Sequence, residues 1–219
     1  MRALLLVTLL LIFVGCTDKI TIATADKPLT SYVNTFIGTG GHGHTYPGAS
    51  MPFGMMQLSP DTRLDGWDGC SGYHYNDSYI YGFSHTHLSG TGILDYGYYK
   101  VHLDSTNIDV ELTVSKRSGM HKYVFEEGEL AQNVILDLVH RDKLLDGKIN
   151  IISKTEINGY RFSESWAKEQ KLFFHIKLSQ PVAFIEREQP DGMRASLNFY
   201  NPDNNPVYIS IGISAVDEA

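Results

Sequence analysis

The second half of this chain consists of short apolar segments separated by turn residues, and this pattern limits the folds open to it. Each segment is rich in Val, Ile, Tyr and Phe, which suit a pleated, half-buried surface. No stretch keeps a 3.6-residue hydrophobic period over three turns, so amphipathic helices are not indicated. Strands at this spacing predict an all-β fold, an antiparallel β-sandwich or barrel. The predicted strands cover residues 98–103, 108–116, 120–125, 133–139, 149–157, 172–178, 193–200 and 207–213.

Two loop signals divide these strands. Asn158-Gly159 is the dipeptide most typical of a tight hairpin turn, so a β-hairpin is predicted there. The run from Asn201 to Pro206 resists strand pairing, which predicts a turn before the last strand. The sequence has no repeat, low-complexity tract or linker after residue 30, and its length suits one core. We therefore predict a single domain over residues 31–219.

The N-terminus has the composition of an export signal. Arg2 precedes an apolar stretch from Ala3 to Val14, and Gly15-Cys16 follows it. The stretch is too short for a permanent transmembrane helix. Residues 13–16 resemble a bacterial lipobox, whose cysteine becomes the lipidated first residue; the alternative is a plain signal peptide cleaved elsewhere. We predict a lipoprotein signal peptide over residues 1–16, a polar tether over residues 17–30, and export to the outer membrane, cell surface or periplasm, with a membrane anchor through lipid on Cys16.

Charge and cysteine content exclude several function classes. The formal net charge is −7 and no basic stripe is present, which argues against nucleic-acid binding. If Cys16 carries lipid, Cys70 is the only thiol left in the mature chain. An intrachain disulfide is then impossible, and two cysteines alone do not form a structural zinc site. A packed core must supply the stability.

Residues 36–97 have a composition that suits binding better than structure alone. This 62-residue window holds 13 of the 20 glycines and five of the nine histidines, with six tyrosines and one tryptophan. Glycine at that density costs conformational entropy, which a fold tolerates where backbone turns tightly or approaches a ligand. A sugar ring presents a face of C–H groups and a rim of hydroxyls, and amphipathic rings complement both. The alternative is a glycine-rich loop with a few buried aromatic residues.

Other chemistry is indicated only weakly in this window. His42-Gly43-His44 and His85-Thr86-His87 could each point two imidazoles to one side and hold a transition metal, although such pairs often serve hydrogen bonding. Glycoside hydrolysis normally needs two carboxyl groups, but the spacing of the aspartates identifies no pair, and they could equally be turn caps. No nucleophile elbow, P-loop or dinucleotide fingerprint occurs. The aspartates are Asp61, Asp65, Asp68, Asp77 and Asp95.

Several long strings in this window resemble the opening motifs of the glycoside hydrolase family 92 α-mannosidases. They are YVNTFIGTGGHGHTYPGA at residues 32–49, PFGM at 52–55, LSPDTR at 58–63, GWD at 66–68, CSGYHY at 70–75 and GFSHTHLSGTG at 82–92. Weaker similarity continues through GYR at 159–161, SWA at 165–167 and IGIS at 211–214. The resemblance covers essentially the whole mature chain.

The resemblance implies a fold and an activity. Members of this family are exo-acting, calcium-dependent, inverting α-mannosidases, mostly secreted or surface lipoproteins. They have an N-terminal β-sandwich of the galactose-mutarotase-like supersandwich type and a larger helical-barrel domain, with the active site between the two. This chain resembles the sandwich alone. The family's general acid, its general base and most of its calcium ligands are then expected in the helical-barrel catalytic domain, which is absent here.

One departure from the family pattern lies inside the chain. Family members usually continue beyond the stretch at 94–97 with another strand and a long loop, whereas here Gly97 is joined directly to Tyr98. We predict an internal deletion of a strand or loop after Gly97, which should leave an unpaired strand edge or an open cleft.

Two functions are compatible with these residues. In the first, the chain is the carbohydrate-binding N-terminal domain of an α-mannosidase acting on α-mannoside glycans, and turnover needs the helical domain. In the second, it is a free-standing, surface-anchored mannose-binding module without catalysis. We expect no catalytic residue in this chain. Trp67 is expected to stack on a sugar face, and Asp68, His85 and His87 are expected to form hydrogen bonds with its hydroxyls. The alternatives are that Trp67 is a core residue and that His85 is a buried histidine with its hydrogen bonds satisfied within the protein. The predicted sugar-binding residues are Trp67, Asp68, Cys70, Tyr73, His85 and His87.

Overall fold

The computed structural model describes residues 29–63, 65–87, 97–128, 131–187 and 192–217. The predicted signal peptide, the lipidation site Cys16 and nearly all of the tether lie outside these residues. A short 3-10 helix, Leu29–Tyr32, belongs to an N-terminal unit that ends at Val33. A second compact unit begins at Asn34 and contains every other element described below. Within the described ranges, no helix has the length and apolar character needed to cross a membrane.

The second unit is built from β-strands that pair only in antiparallel fashion in its described part. A 3-10 helix, Trp67–Gly69, lies between the second and third strands. The strands are β1 Ala49–Ser50, β2 Gln57–Asp61, β3 Gly82–Ser84, β4 Tyr98–Leu103, β5 Ile108–Val114, β6 Ser118–Val124, β7 Ala131–Asp137, β8 Lys143–Ser153, β9 Glu156–Glu164, β10 Gln170–Leu178, β11 Val182–Arg187, β12 Arg194–Tyr200 and β13 Val207–Ser214.

One large sheet forms the first layer of a sandwich. Its seven strands run in the order β4-β5-β6-β13-β10-β9-β8. In β13 the side chains at alternate positions, from Val207 to Ile213, are buried, as expected for a strand with one face on the core. On the neighbouring strand β10, Phe174, Ile176 and Leu178 are buried in the same alternating way.

Two three-stranded sheets, β1-β2-β3 and β11-β12-β7, form the second layer. Leu58 of β2 packs so closely over β6 that a side chain at Gly119 would meet its Cδ1 at 2.6 Å. On β12, Ala195, Leu197 and Phe199 are buried in the same core cluster as the large sheet. The antiparallel all-β sandwich predicted from the strand pattern is therefore confirmed.

The predicted hairpin turn at Asn158-Gly159 is wrong. Both residues lie inside β9, where they pair with Asn150 and Ile149 of β8, and the turn falls at residues 154–155. The predicted strand 149–157 is thus the end of one strand and the start of the next. A side chain at Gly159 would meet the Lys148 carbonyl oxygen at 1.9 Å, so this glycine permits close packing within the sheet.

The glycine-rich half contributes more than loops. It supplies β1, β2 and β3, which its composition did not predict. Elsewhere in the chain, β11, the first half of β8 and all of β9 after residue 157 were also missed. The predicted turn between the last two strands is confirmed at residues 201–206. There the buried Asn201 amide donates to Gln132 Oε1 at 2.9 Å and to the Asn205 carbonyl at 2.7 Å.

The predicted deletion site lies at one edge of the large sheet. Residues 88–96 lie outside the described residues, and β4 begins directly after Gly97. β4 pairs with β5, and no ladder among the described residues covers its other side. The unpaired edge is compatible with a missing segment, and the deletion itself stays a prediction.

Candidate functional site

The short 3-10 helix Trp67–Gly69 presents an aromatic ring to solvent. Gly66 enters the helix at φ 76°, and Cys70 closes it by donating its N–H to the Trp67 carbonyl at 3.2 Å. The side chain of Trp67 is 63% exposed, so it does not belong to the core. The His44 ring meets it edge-on, with ring centroids 5.0 Å apart. The Trp67 ring is therefore an accessible apolar surface, and the backbone of the short helix holds it in place.

A carboxylate lies beside this ring. Asp68 Oδ1 is 2.5 Å from His42 Nδ1 and 3.5 Å from His44 Nε2. The hydrogen bond from His42 lowers the pKa of Asp68 and outweighs partial burial, which acts in the opposite direction. Asp68 is therefore an ionised acceptor at neutral pH. His44 has a φ of 54°, an uncommon conformation for a non-glycine residue and one that often marks a functional loop.

Arg141 supports this loop from a distant part of the chain. Its Nη2 donates to the carbonyls of Gly69 at 2.9 Å and Cys70 at 3.3 Å, and its Nη1 lies 3.5 Å from Asp61 Oδ1. Arg141 adopts a φ of 72°. A side chain at Gly72 would meet Asp61 Oδ1 at 2.2 Å, so only glycine lets the loop backbone pass this close to the ion pair.

Asp61 is the buried centre of this support. Its side chain is 2% exposed and accepts a hydrogen bond from the Ser84 hydroxyl, while His140 Nε2 lies 3.5 Å from Oδ2. Burial acts to raise the pKa of Asp61, but the neighbouring His140, His87 and Ser84 together hold it below the usual range. A buried charge persists only with such partners.

A second ion pair joins the two ends of the loop that runs from Thr62 to Asp77. Arg63 donates to both oxygens of Asp77, at 2.5 Å from Nη2 and 3.2 Å from Nε, and Thr62 donates to the same carboxylate at 2.9 Å. Burial acts to raise the pKa of Asp77, but the bonds from Arg63 and Thr62 lower it overall. The loop between Thr62 and Asp77 is thus clamped at both ends.

Three of the predicted sugar-binding residues are brought together. Trp67 and Asp68 are adjacent on the 3-10 helix, and Cys70 follows as its C-cap. Tyr73 lies farther along the loop and packs against the Phe36 ring, with centroids 6.3 Å apart. Burial, with neighbouring acidic groups, raises the pKa of Tyr73.

The two predicted histidines are placed elsewhere. His85 Nε2 is 3.0 Å from His121 Nε2, and this contact directs the ring toward the space between the layers. His87 stacks on Tyr46 with ring centroids 4.4 Å apart, and its Nδ1 is 2.7 Å from the Ser71 carbonyl. His87 thus supports the loop that carries Trp67, residues 62–77, through its contact with the Ser71 carbonyl. No described contact joins His85 to Trp67 or Asp68.

Some residues of the site were not predicted to belong to it. Arg141 lies far from the glycine-rich window, and nothing in its local sequence marks it. His42 and His44 were considered as metal ligands, yet the structure shows them as partners of Asp68. In the described ranges, no three His, Cys, Asp or Glu side chains converge as a metal site.

Three carboxyl groups of this region, those of Asp61, Asp68 and Asp77, do not suit general acid catalysis. A general acid at a glycosidic bond needs a raised pKa, so that it holds a proton at working pH. The pKa values of Asp61, Asp68 and Asp77 are all lowered, because each carboxylate accepts hydrogen bonds or faces a cation. These side chains can bind and position a ligand, but they are poor proton donors.

Comparison with known families agrees with the motifs. A family model described as the glycosyl hydrolase family 92 N-terminal domain matches residues 32–97 and 94–214. The two matched segments meet at residues 94–97, directly before β4 and at the position of the predicted deletion.

Solved structures share the fold. A family GH92 α-mannosidase from Bacteroides thetaiotaomicron, solved in complex with mannoimidazole, is 28% identical with a TM-score of 0.76, over 87% of this chain and 33% of that chain. A family GH92 inverting mannosidase from the same organism is 22% identical with a TM-score of 0.70, over 89% of this chain and 33% of that chain, and shows the fold alone.

A curated relative matches a shorter stretch. An uncharacterized secreted glycosidase from Arthroderma benhamiae is 44% identical over 61 residues, which is 28% of this chain and 8% of that protein. The chain therefore spans about a third of the solved relatives and a small part of the curated one.

Proposed function

This chain belongs to glycoside hydrolase family 92 as its N-terminal domain, and from that membership we propose that it binds the sugar of an α-mannoside glycan for an exo-acting, inverting α-mannosidase. The observation that carries the proposal is the exposed Trp67 ring beside the ionised Asp68. An aromatic face supplies apolar contact for the C–H side of a sugar ring, and a carboxylate accepts hydrogen bonds from its hydroxyls.

The support beneath this site favours binding over a role in the core. Arg141 and His87 contact carbonyls of the loop, and Asp61 pairs with Arg141, while the Trp67 ring is exposed. A preorganised site loses less conformational entropy when it binds a ligand. The loop geometry is therefore suited to orienting a sugar ring.

Turnover is assigned to residues beyond this domain. Inverting hydrolysis needs a general acid and a general base about 6.5–9.5 Å apart, with a water between the base and the sugar. The lowered pKa values of the site carboxylates do not suit the acid. We propose that the helical-barrel domain implied by the family resemblance supplies both groups, and that this chain binds and orients the substrate.

The described residues do not fit the calcium site that the resemblance implies. Calcium takes six to eight oxygen ligands, usually with several carboxylates. The loop carboxylates are instead occupied by Arg63, Arg141 and histidines, and the described ranges contain no converging set of three ligating side chains. No calcium ligand is therefore assigned to the described residues.

Export and anchoring complete the proposal. The curated relative is named as a secreted glycosidase, which supports an exported protein. We propose that lipid on Cys16 anchors the chain at the bacterial surface or in the periplasm. Metabolic labelling with a palmitate analogue should mark the expressed protein, and a Cys16→Ser variant should lose the label. Labelling that persists in this variant would contradict the assignment.

The binding test uses the two tryptophans of the chain. Trp166, which is 77% exposed and lies between β9 and β10, is replaced by Phe so that Trp67 is the only remaining tryptophan and can be excited selectively. Titration with methyl α-D-mannoside should change Trp67 fluorescence saturably. A matched Trp67→Phe variant, which keeps Trp166, should show no change and should lose most calorimetric binding.

Asp68 separates stacking from hydrogen bonding. An Asp68→Asn variant should bind the mannoside about ten-fold more weakly, because a neutral acceptor forms weaker hydrogen bonds than a carboxylate. Equal affinity in the Trp67→Phe and Asp68→Asn variants and the parent chain would refute this binding site. The purified chain alone should release no mannose, and calcium-dependent release would refute the assignment of turnover to another domain.

A further inference from the structure

The outer face of the large sheet carries a cluster of aromatic side chains. On β9, Ile157 is buried in the core, so Tyr160 and Phe162, which lie an odd number of positions away, project from the opposite face. On the neighbouring strand β10, Phe174 is buried, and Phe173 therefore projects outward beside them. Three rings on two adjacent strands thus face away from the core.

Contacts between these rings fix their orientations. Tyr160 lies directly opposite Phe173 across the ladder, and the ring centroids of Tyr160 and Phe162 are 4.6 Å apart. The Phe162 and Phe173 rings meet edge to face, with centroids 5.5 Å apart. The Tyr160 hydroxyl donates to Asp146 at 3.2 Å, and Lys171 Nζ lies 5.4 Å from the Phe162 centroid. The rings therefore form a preformed surface that stays partly open to solvent.

An exposed tryptophan lies at one end of this cluster. Trp166 belongs to the connection between β9 and β10, four residues after Phe162 and directly beyond the Ser163–Gln170 pair that ends the ladder. Its side chain is 77% exposed, and it makes no ring contact with any other described residue. We call Tyr160, Phe162, Phe173 and Trp166 together the aromatic face. A single exposed ring needs no explanation, whereas several rings near one another indicate an interaction site.

Amide groups continue the face at its other end. Asn150 of β8 and Asn158 of β9 are directly opposite, and Asn150 Nδ2 donates to Asn158 Oδ1 at 3.2 Å. An amide has two donors and one acceptor oxygen, so this contact leaves donors on Asn158 and an acceptor on Asn150 for a ligand. On the side of β13, the residues opposite Phe173 and His175 are Ser214 and Gly212, which are small and leave the ring edges accessible.

The size of this surface separates the possible occupants. Phe162 and Asn158 are four residues apart, or about 13 Å, and the three strands β8, β9 and β10 span about 10 Å, so the surface covers roughly 130 Å². A stable protein partner usually buries about 800 Å² on each side. The rest of the outer face is charged, with Glu111 held between Lys100 and Lys122. A short chain of sugar rings fits this length and needs no larger surface.

We propose that the aromatic face is a second glycan-binding site, which holds several consecutive residues of an α-mannan chain. The rings would contact the C–H faces of the sugars, and the Asn150–Asn158 pair would bind their hydroxyls. The inference rests on the proposed function only for the identity of the sugar. The face is separate from the loop that carries Trp67, because none of its described contacts reaches residues 62–77.

The consequence of two sites is a division of labour between them. The loop that carries Trp67 would take one mannose residue, whereas the aromatic face would hold the chain at a distance from it. Each ring of the face contributes little alone, so a monosaccharide should bind there too weakly to detect. A longer chain gains affinity because its residues contact the face together, once the first is bound.

The test uses the full chain with an α-linked mannotetraose and with methyl α-D-mannoside. In a Trp67→Phe variant, Trp166 is the only tryptophan left, and its fluorescence should change saturably with mannotetraose and not with methyl α-D-mannoside. Adding Trp166→Ala to this variant should weaken calorimetric binding of mannotetraose about ten-fold, because it removes one stacking surface. Trp166 is exposed, so the melting temperature should stay unchanged.

A matched control replaces an exposed aromatic residue elsewhere. Tyr200 ends β12 in the second layer and is 65% exposed. Tyr200→Ala in the Trp67→Phe background should keep the mannotetraose affinity. In the otherwise unchanged chain, Trp166→Ala should also keep the affinity for methyl α-D-mannoside. If methyl α-D-mannoside fails to bind the parent chain while mannotetraose still binds the Trp67→Phe variant through Trp166, the proposed function fails and this inference stands.

Four results would overturn the second site. Trp166→Ala could leave the mannotetraose affinity of the Trp67→Phe variant unchanged, or that variant could fail to bind mannotetraose at millimolar concentration. Equal affinity for cellotetraose, a β-linked glucose chain, would identify a general aromatic surface instead of a mannan site. Trp166 fluorescence that changes with protein concentration, in the absence of glycan, would identify a second copy of this chain as the occupant.

Discussion

Acidification is expected to destabilise the fold through the two histidines that meet between the layers. His85 Nε2 and His121 Nε2 are 3.0 Å apart, so one nitrogen must donate and the other must accept, and the accepting ring must keep a lone pair on Nε2. His121 Nδ1 is also 2.9 Å from the Tyr123 hydroxyl. Protonation of both rings would place two donors against each other in a buried position. The pair is therefore incompatible with positive charge on both rings.

The direction and the size of this destabilisation follow from the pKa values of the two histidines. Burial lowers the pKa of His85 from 6.5 to about 4, although the charge of Asp61 opposes this and His87 reinforces it. Burial, followed by the nearby His85, also holds the pKa of His121 well below its usual value. Below pH 6.5 the unfolded chain binds more protons than the folded chain, so stability is full above that pH and falls toward pH 4. For His85 alone, the loss between pH 7.5 and pH 5 is about 2 kcal/mol, and His121 adds to it.

Urea unfolding at pH 7.5 and pH 5 measures this effect. With a typical slope of about 2 kcal/mol per molar urea, a loss of about 2 kcal/mol lowers the midpoint by roughly 1 M. A double variant, His85→Gln with His121→Asn, should lose much less stability between the two pH values than the parent chain. The control His102→Gln replaces an exposed histidine of β4 and should keep the parent's loss. The reasoning is refuted if the double variant and the parent lose the same stability on acidification.

Two further predictions concern packing and the support of the site. Gly159→Ala should lower the free energy of unfolding by about 2–3 kcal/mol, because its Cβ would meet a backbone carbonyl. The control Gly82→Ala has open space around its Cβ and should be nearly neutral. Chemical denaturation of the two variants measures the difference. Arg141→Met should cost about 3 kcal/mol, because it leaves Asp61 buried without its cation, and it should also weaken mannoside binding. Lys143→Met removes an exposed pair and should change neither quantity, so equal effects of the two substitutions would contradict the support role.

Patterns within a strand predicted much of the fold. The predicted strand at 98–103 coincides with β4, and the strand predicted at 207–213 matches β13 to within one residue. These segments alternate or are rich in β-branched residues, so their local pattern and their tertiary environment agree. The short strands β1 and β3 were missed, because two or three residues carry too little periodicity.

The Asn158-Gly159 error shows where local signals fail. The same dipeptide that favours a hairpin turn also provides a glycine where a neighbouring ring and carbonyl leave no room for a side chain. Which of these uses applies depends on the register between β8 and β9 and on Phe174 of the next strand. That information is spread over three strands and is absent from the dipeptide itself.

The candidate site likewise contains residues that a local motif brings together and residues that only the fold brings there. Trp67, Asp68 and Cys70 are close in sequence, so one short motif brings them together on a single turn of helix. Arg141 reaches the same loop from 72 residues away, and its role depends on how the strands are ordered. His85 and His87 belong to the same motif string, yet they have different partners. His85 contacts His121 of β6, whereas His87 contacts the Ser71 carbonyl.

The sequence by itself determined the strand-rich character of this protein, its family and the glycine-rich segment that carries the exposed ring. These properties depend on residue type and on short-range periodicity, which are already present in the unfolded chain. Only the tertiary structure decided which residues support the loop that carries Trp67 and how the two buried histidines pair. Each of these arises where residues distant in sequence meet, and their burial and hydrogen-bond partners are set by strand order and register, which no local pattern specifies.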